Sequence, residues 1–447
     1  MPSTEPRAVD LRIDARWIIP VEPAGTLRDH ALIVDDGRIA AVVPAADADR
    51  DYAPLAHVFL PQHLLIPGLV NAHTHAGMTL LRGIADDAPL KAWLEDHIWP
   101  RETRFVAPDF VHDATLLAAA EMLRGGITCC NDMYFHPDAA AQAYEHAGMR
   151  AMLGMPILDF PTPYAADTDA YLQRGLAARD AFKHAPRLSF SLAPHAPYTV
   201  GDATWRTVVM YARQLDLIVQ THVDETAREV TDALAASHER PLARLDRLGA
   251  TGPAFVAIHA AHLDARDIDL LAAQGCHVVH CPGSNMKLAS GIAPVAALLS
   301  RGINVALGTD GAASNNRLDI FSEMRLASLL AKVATADAAA LPAQTVLRMA
   351  TQNGAAALGL DARIGSLTAG KEADVTAVRL DDVETLPLYD PVSQLVNAAG
   401  REHVTDVWVA GERVVEDRRL TRIDVPALLA RTRIWQDRLA LTGSDAR

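Results

Sequence analysis

Eight short apolar runs recur along most of the chain, each followed by a longer segment of helical periodicity. They are LLIPGLVNA (64–72), GITCCNDM (126–133), RAMLGMPILD (150–159), LSFSLAPH (188–195), DLIVQTHV (216–223), AFVAIHA (254–260), HVVHC (277–281) and NVALGTD (304–310). Between them lie stretches such as DATWRTVVMYARQL (202–215), where Thr or Asp offers an N-cap and apolar residues recur three and four apart. Buried strands alternating with helices pair in parallel through crossovers, and eight such units close into a (β/α)8 TIM barrel. Alternation alone also fits a doubly wound open sheet.

The pattern changes at both ends. Residues 8 to 60 hold shorter strand-like pieces joined by Asp-Gly turns, and ADVTAVRL (373–380) and HVTDVWVAGERVV (403–415) read the same way. Neither group has enough strands to bury a core alone. The expectation is therefore a composite small β-sandwich domain from 1–66 plus 370–447, ending in a helix over 424–440, with the barrel spanning 67–369.

The formal charge of −14 repels nucleic acid and anionic membrane, so neither is expected as a partner. A small neutral or cationic substrate suits it better, and a homo-oligomer is compatible with it. No run of 18 apolar residues and no export-type apolar segment is present. The four cysteines form no CxxC pair and no disulfide framework, which points to a reducing, cytoplasmic setting.

In a barrel of this kind, reacting groups sit at the C-terminal ends of the strands. The first predicted strand ends in NAHTHAGM, where His73 and His75 are two apart and can face one side. The fourth ends at His195, the fifth at His222, the sixth at His259 and the eighth at Asp310. A lone histidine at a strand end is more often structural. Repeated placement at one rim points instead to a metal, and imidazoles with one carboxylate suit zinc.

The motifs PGLVNAHTH, THVDE, HCPGSNMKLASG and ALGTDGAASNN together resemble the amidohydrolase superfamily, and within it the deaminases of 5′-methylthioadenosine and S-adenosylhomocysteine. The resemblance runs from about residue 8 to about residue 420. It implies one zinc per subunit, with iron or another divalent metal as alternatives, held by His73, His75, His222 and Asp310. Relatives with two metals use a bridging lysine after the fourth strand, where this chain has His195. The resemblance further implies that Glu225, three residues after His222, moves a proton to the purine ring. Asp310 takes the proton of the activated water, and His259 orients that water or stabilises developing charge. Glu102 holds the ribose diol, with His195 also at the ribose, and Glu225 and Asp310 touch the substrate.

The implied reaction is hydrolytic deamination at C6 of a small nucleoside, releasing ammonia. The loop ILDFPTPYAADTD after the third strand contains Phe160 and Tyr164 but no arginine to pair with a homocysteine tail, which favours 5′-methylthioadenosine. Arg82 and Arg101 are the cations left to serve a charged tail. S-adenosylhomocysteine and adenosine follow as further substrates. Rivals are a guanine, cytosine or triazine deaminase, a chlorohydrolase, or a non-catalytic barrel; Glu102 argues against the first group, since those substrates carry no diol. Trp93, Trp99, Cys281, Ser284 and Asn285 are candidates for the pocket wall, and Gly308 and Gly311 for tight turns beside Asp310. His262, His277 and His280 are expected to be structural.

Overall fold

The computed structural model describes residues 5–440, and among them two eight-stranded sheets. The N-terminal strands are β1 (Arg7–Ile18), β2 (Leu27–Asp35), β3 (Arg38–Pro44) and β4 (Tyr52–Pro67). The barrel strands are β5 (Leu69–Thr74), β6 (Ile127–Met133), β7 (Arg150–Ile157), β8 (Leu188–Pro194), β9 (Val219–Val223), β10 (Phe255–His259), β11 (His277–His280) and β12 (Asn304–Leu307). They are followed by β13 (Val375–Arg379), β14 (Val404–Val409), β15 (Glu412–Glu416) and β16 (Arg419–Leu420).

Strands β5 to β12 pair in sequence order and in parallel, each next to the one that follows it in the chain. This is the (β/α)8 barrel, not the open sheet. The strands are buried almost throughout because helices cover their outer faces and side chains fill the interior. The helix foreseen over 202–215 is present as Asp202–Leu215.

The other sheet has the order β16-β15-β14-β13-β4-β1-β2-β3, so strands from both ends of the chain meet at the β4–β13 pair. Asp36 and Gly37, both with positive φ, make the β2–β3 turn, and Ala410 and Gly411 make the β14–β15 turn. Ile13, Ile18, Leu32, Leu65, Val375 and Trp408 form its apolar core. The helix Val425–Ala440 follows. No helix among the described residues is long and apolar enough to cross a membrane.

One expected element divides differently. LLIPGLVNA does not form a single strand: Leu64 to Pro67 finish β4 in the terminal sheet, and the barrel begins at Leu69. The chain crosses at Gly68, whose N–H bonds Asp374 O at 2.9 Å, and a Cβ there would lie 2.1 Å from Thr128 Oγ1. Hydropathy cannot show the break, because both halves are equally buried. Arg150, at the start of β7, locks the two sheets together through Glu372 at 2.6 Å and Asp374 at 3.0 Å, all three buried.

Candidate active site

All of the residues anticipated at the rim face one cavity of about 550 Å³ at the C-terminal end of the barrel, except His73, which is fully buried beneath it. His73 is the penultimate residue of β5 and His75 follows its end. His222 Nε2 lies 3.2 Å from His73 Nε2 and 3.3 Å from His75 Nε2. Asp310 Oδ1 lies 3.1 Å from His75 Nε2 and 3.5 Å from His73 Nε2.

The hydrogen bonds behind these atoms decide what the cluster is for. His75 donates from Nδ1 to Met133 O at 2.5 Å, and His222 from Nδ1 to His195 O at 2.8 Å. Their Nε2 atoms therefore present lone pairs, and two inward lone pairs 3.3 Å apart need a cation between them. Four donors at about 2.0–2.1 Å from a tetrahedral ion sit about 3.3 Å from one another, and the four distances above, 3.1 to 3.5 Å, match that spacing. The residues present thus fit a divalent metal.

Burial pulls His73 down to about 3 and His222 well below the ordinary imidazole range, which keeps both neutral as ligands must be. Burial also acts to lower His75, but Asp310 beside it outweighs that and lifts the ring to about 9, so a metal at its Nε2 takes the place of a proton there. Burial opposes ionisation of Asp310, yet hydrogen bonds from His73 and His75 hold its carboxyl well below the usual range. Ser284 and Ser314 donate to its Oδ2 at 2.6 and 2.7 Å, leaving Oδ1 for the cluster.

His259 ends β10 and bonds Asn285 Oδ1 through Nδ1 at 2.8 Å, so its Nε2 faces the site, 3.9 Å from Glu225 Oε1. His73, His222 and His259 form a second donor triad overlapping the first. We favour His75 and Asp310 over His259 as ligands because they complete four close contacts, while His259 stands beside Glu225. His259 and Asp310 have φ of +69° and +62°. Side-chain residues held in the left-handed region at two strand ends carry strain, which concentrates at functional sites.

Glu225 and Glu102 line the same cavity, and burial raises both carboxyls. The backbone N–H of Glu225 donates to Glu229 Oε2 at 2.8 Å, and that of Asp224 to Glu229 Oε1 at 3.1 Å, fixing the turn after β9. Glu102 accepts from Tyr134 Oη at 2.7 Å. It is carried on a helical segment whose Trp93–Ile98 portion is π-helical, a wider turn often found at functional sites. His195 lines the cavity with Nδ1 at Thr199 Oγ1, 3.0 Å away, and burial lowers its ring to about 4.

Trp93, Trp99, Phe160 and Tyr164 line the cavity; Arg82 and Arg101 do not, being turned to Glu121 and to His97 O. Cys281 is buried outside the lining, and Ser284 and Asn285 act on Asp310 and His259 instead of forming wall. His262 bonds Ser290 O, His277 bonds Asn304, and His280 is buried away from the cavity. Gly308 and Gly311 serve close approach and not the turn: a Cβ on them would lie 2.9 Å from His73 Cβ and 3.2 Å from His75 Cβ. Sequence reasoning missed Tyr134, Tyr198, Ser314 and Glu229. Ser314 stands four residues past Asp310, in reach across one helical turn, which was the available signal.

Known proteins resemble this chain over most of its length. The Amidohydrolase family pattern matches residues 64–414. A 5-methylthioadenosine/S-adenosylhomocysteine deaminase of Teredinibacter turnerae is 46% identical over 98% of this chain and 99% of its own. A 5′-deoxyadenosine deaminase of Methanothermobacter thermautotrophicus is 42% identical over 89% of this chain and 92% of its own. The crystal structure of an adenosine deaminase from Xanthomonas campestris with bound zinc matches at TM-score 0.96 and 51% identity, covering 98% of this chain and 100% of that one. Fold, rim and relatives together define a metal-dependent hydrolase acting on carbon–nitrogen bonds. The chain belongs to the amidohydrolase family and, within it, to the 5-methylthioadenosine/S-adenosylhomocysteine deaminases.

Proposed function

We propose that the protein deaminates the adenine ring of 5′-methylthioadenosine at C6, with S-adenosylhomocysteine and adenosine as further substrates. The barrel, 69–369, is the catalytic domain, and of the described residues 5–67 and 370–440 form the second. The observation that carries the reading is the set of close contacts among His73, His75, His222 and Asp310, with two separate carboxylates, Glu225 and Glu102, lining the same cavity.

His73, His75, His222 and Asp310 would hold one zinc per subunit, and a zinc there would supply the charge that lowers the pKa of a water to about 7. Asp310 accepts a proton from the attacking water as its oxygen adds to C6. Glu225, its carboxyl kept protonated upward in pH by burial, gives a proton to N1, so the ring nitrogen becomes N–H instead of an anion. His259, whose Nδ1–H is held by Asn285, orients the attacking water by accepting its O–H at Nε2. The C6–N bond then breaks: the amine leaves as ammonia with the proton from Asp310, the proton left on the C6 hydroxyl passes to Glu225 and restores its carboxyl, and an inosine-type nucleoside with C6=O and N1–H remains. Glu102 accepts from the two ribose hydroxyls, and His195 contacts the same sugar.

The enzyme acts in the cytoplasm without nucleic acid or membrane partner, a reading supported by its negative charge and by four free, buried cysteines. The test is ammonia release from the zinc-loaded protein offered methylthioadenosine, S-adenosylhomocysteine, adenosine, guanine, cytosine and an aminotriazine. Turnover of the nucleosides is expected; turnover of only bases or triazines overturns the assignment.

A further inference from the structure

With C6 at the donor cluster and the diol at Glu102, the rest of a bound nucleoside runs outward past the residues that adjoin Glu102. Those residues are aromatic in series. Tyr134 bonds Glu102, Phe135 lies 5.4 Å from Tyr134, and Tyr164 lies 6.0 Å from Phe135, ring centroid to centroid. Leu158 packs with Tyr164 and Phe135, and Phe160 and Trp99 line the same cavity. Among the described residues, no lysine or arginine lines any part of the cavity. A methylthio nucleoside occupies the volume of on the order of ten waters, roughly 300 Å³. The cavity of about 550 Å³ therefore has more room than that substrate fills.

One cation stands just outside. Arg174, on the helix Thr168–Ala181, packs its guanidinium 5.5 Å from the Tyr164 ring centroid, and Tyr164 is itself buried and lines the cavity. The ring thus separates the chamber from the charge that a carboxylate would seek. A zwitterionic tail entering the chamber loses its water and finds no counter-ion, whereas an alkyl tail loses nothing.

We infer that the outer chamber is a subsite for uncharged apolar 5′ substituents larger than methyl, with Tyr164 as the specificity-determining wall that screens Arg174. The substrate class becomes 5′-alkylthio adenosines; this rests on the reaction proposed above.

The experiment measures kcat/KM of the zinc-loaded enzyme on 5′-methylthioadenosine, 5′-butylthioadenosine and S-adenosylhomocysteine. The butylthio compound is expected to equal or exceed the methylthio compound by up to about tenfold, and S-adenosylhomocysteine to fall at least about tenfold below it. Butylthioadenosine turned over at least tenfold worse than methylthioadenosine, or S-adenosylhomocysteine matching it, overturns the inference while leaving the deaminase reading intact. Turnover of none of the three overturns both. Tyr164→Ala is expected to narrow the gap between S-adenosylhomocysteine and butylthioadenosine, and Tyr164→Ala with Arg174→Gln to restore it. An unchanged gap in a Tyr164→Ala protein of normal melting temperature removes Tyr164 from its role, and the wild-type series decides the subsite whether or not that variant folds.

Discussion

Asn71 and Thr309 exchange two hydrogen bonds across the seam of the barrel: Thr309 N–H donates to Asn71 Oδ1 at 2.9 Å, and Asn71 Nδ2 to Thr309 Oγ1 at 2.8 Å. Strands β5 and β12 form no ladder in the sheet order, so this pair and the Asp310 N to His73 O bond hold the seam at the donor cluster. Asn71→Ala leaves the fully buried Thr309 N–H unpaired, at about 1–3 kcal/mol. The expected outcome is that loss of stability in denaturant titrations, with zinc affinity weakened about tenfold in chelator competition. Wild-type values for both would show that the seam is held elsewhere.

Glu225→Gln keeps the shape of the side chain and removes the proton it transfers. Zinc content is expected to match the unmodified enzyme, and kcat to drop by about 10²–10⁴ with methylthioadenosine. Substantial residual turnover would return the proton step to another group, with His259, 3.9 Å from Glu225, the first alternative.

How much of this could be read from the chain follows from how far apart the interacting residues are. The barrel was legible because eight buried runs each bear their own local signal. His73 and His75 were legible because a two-residue spacing at a strand end is itself geometric information. The Asn71–Thr309 seam was not, since its partners lie 238 residues apart and neither type is distinctive. The π-helical turn before Glu102 and the Glu229 clamp on the Glu225 turn are local and were hidden for a different reason: a helix-former and a glutamate look ordinary until the fold shows which way they face. The break at Gly68 was invisible to hydropathy and is set by contact with Thr128.

Glu102 is expected to report the sugar and not the base. Replacing its carboxylate by amide in Glu102→Gln removes charge-assisted acceptance, worth about 1.5–3 kcal/mol. That corresponds to a loss of about tenfold to a hundredfold in kcat/KM on ribonucleosides. The 2′,3′-dideoxy analogue, which offers no diol, should be turned over equally by both proteins. An equal loss on both substrates would mean that Glu102 supports the cavity wall through Tyr134 and does not hold the sugar.

Chelation tests the donor set directly. Dialysis against a zinc chelator is expected to abolish ammonia release and lower the melting temperature, both restored by one equivalent of zinc per chain in elemental analysis. At free zinc a hundredfold above Kd the stabilisation amounts to about 2.7 kcal/mol. Asp310→Ala should show neither restoration at that concentration; full recovery of zinc binding in it would place His259 in the donor set instead.

Glu323 gives the pH prediction. Its Oε2 accepts from Gly283 N–H at 2.9 Å and its Oε1 from Asn315 Nδ2 at 2.8 Å, tying the loop that carries Ser284 to the one that carries Ser314. Burial lifts its carboxyl from 4.5 to about 8, more than those two hydrogen bonds lower it. A carboxyl raised in the folded state contributes stability that is complete below its unfolded pKa, near 4.5, and is lost as pH rises through about 8. At about 1.4 kcal/mol per pKa unit the whole change is on the order of 5 kcal/mol. Glu323→Gln, neutral at every pH, lacks that dependence. The stability of the original relative to the variant, from denaturant titrations at steps between pH 5 and 8.5, is therefore expected to fall steadily with rising pH. A difference that stays level across the range would mean that Glu323 is ionised throughout, its two donors outweighing burial.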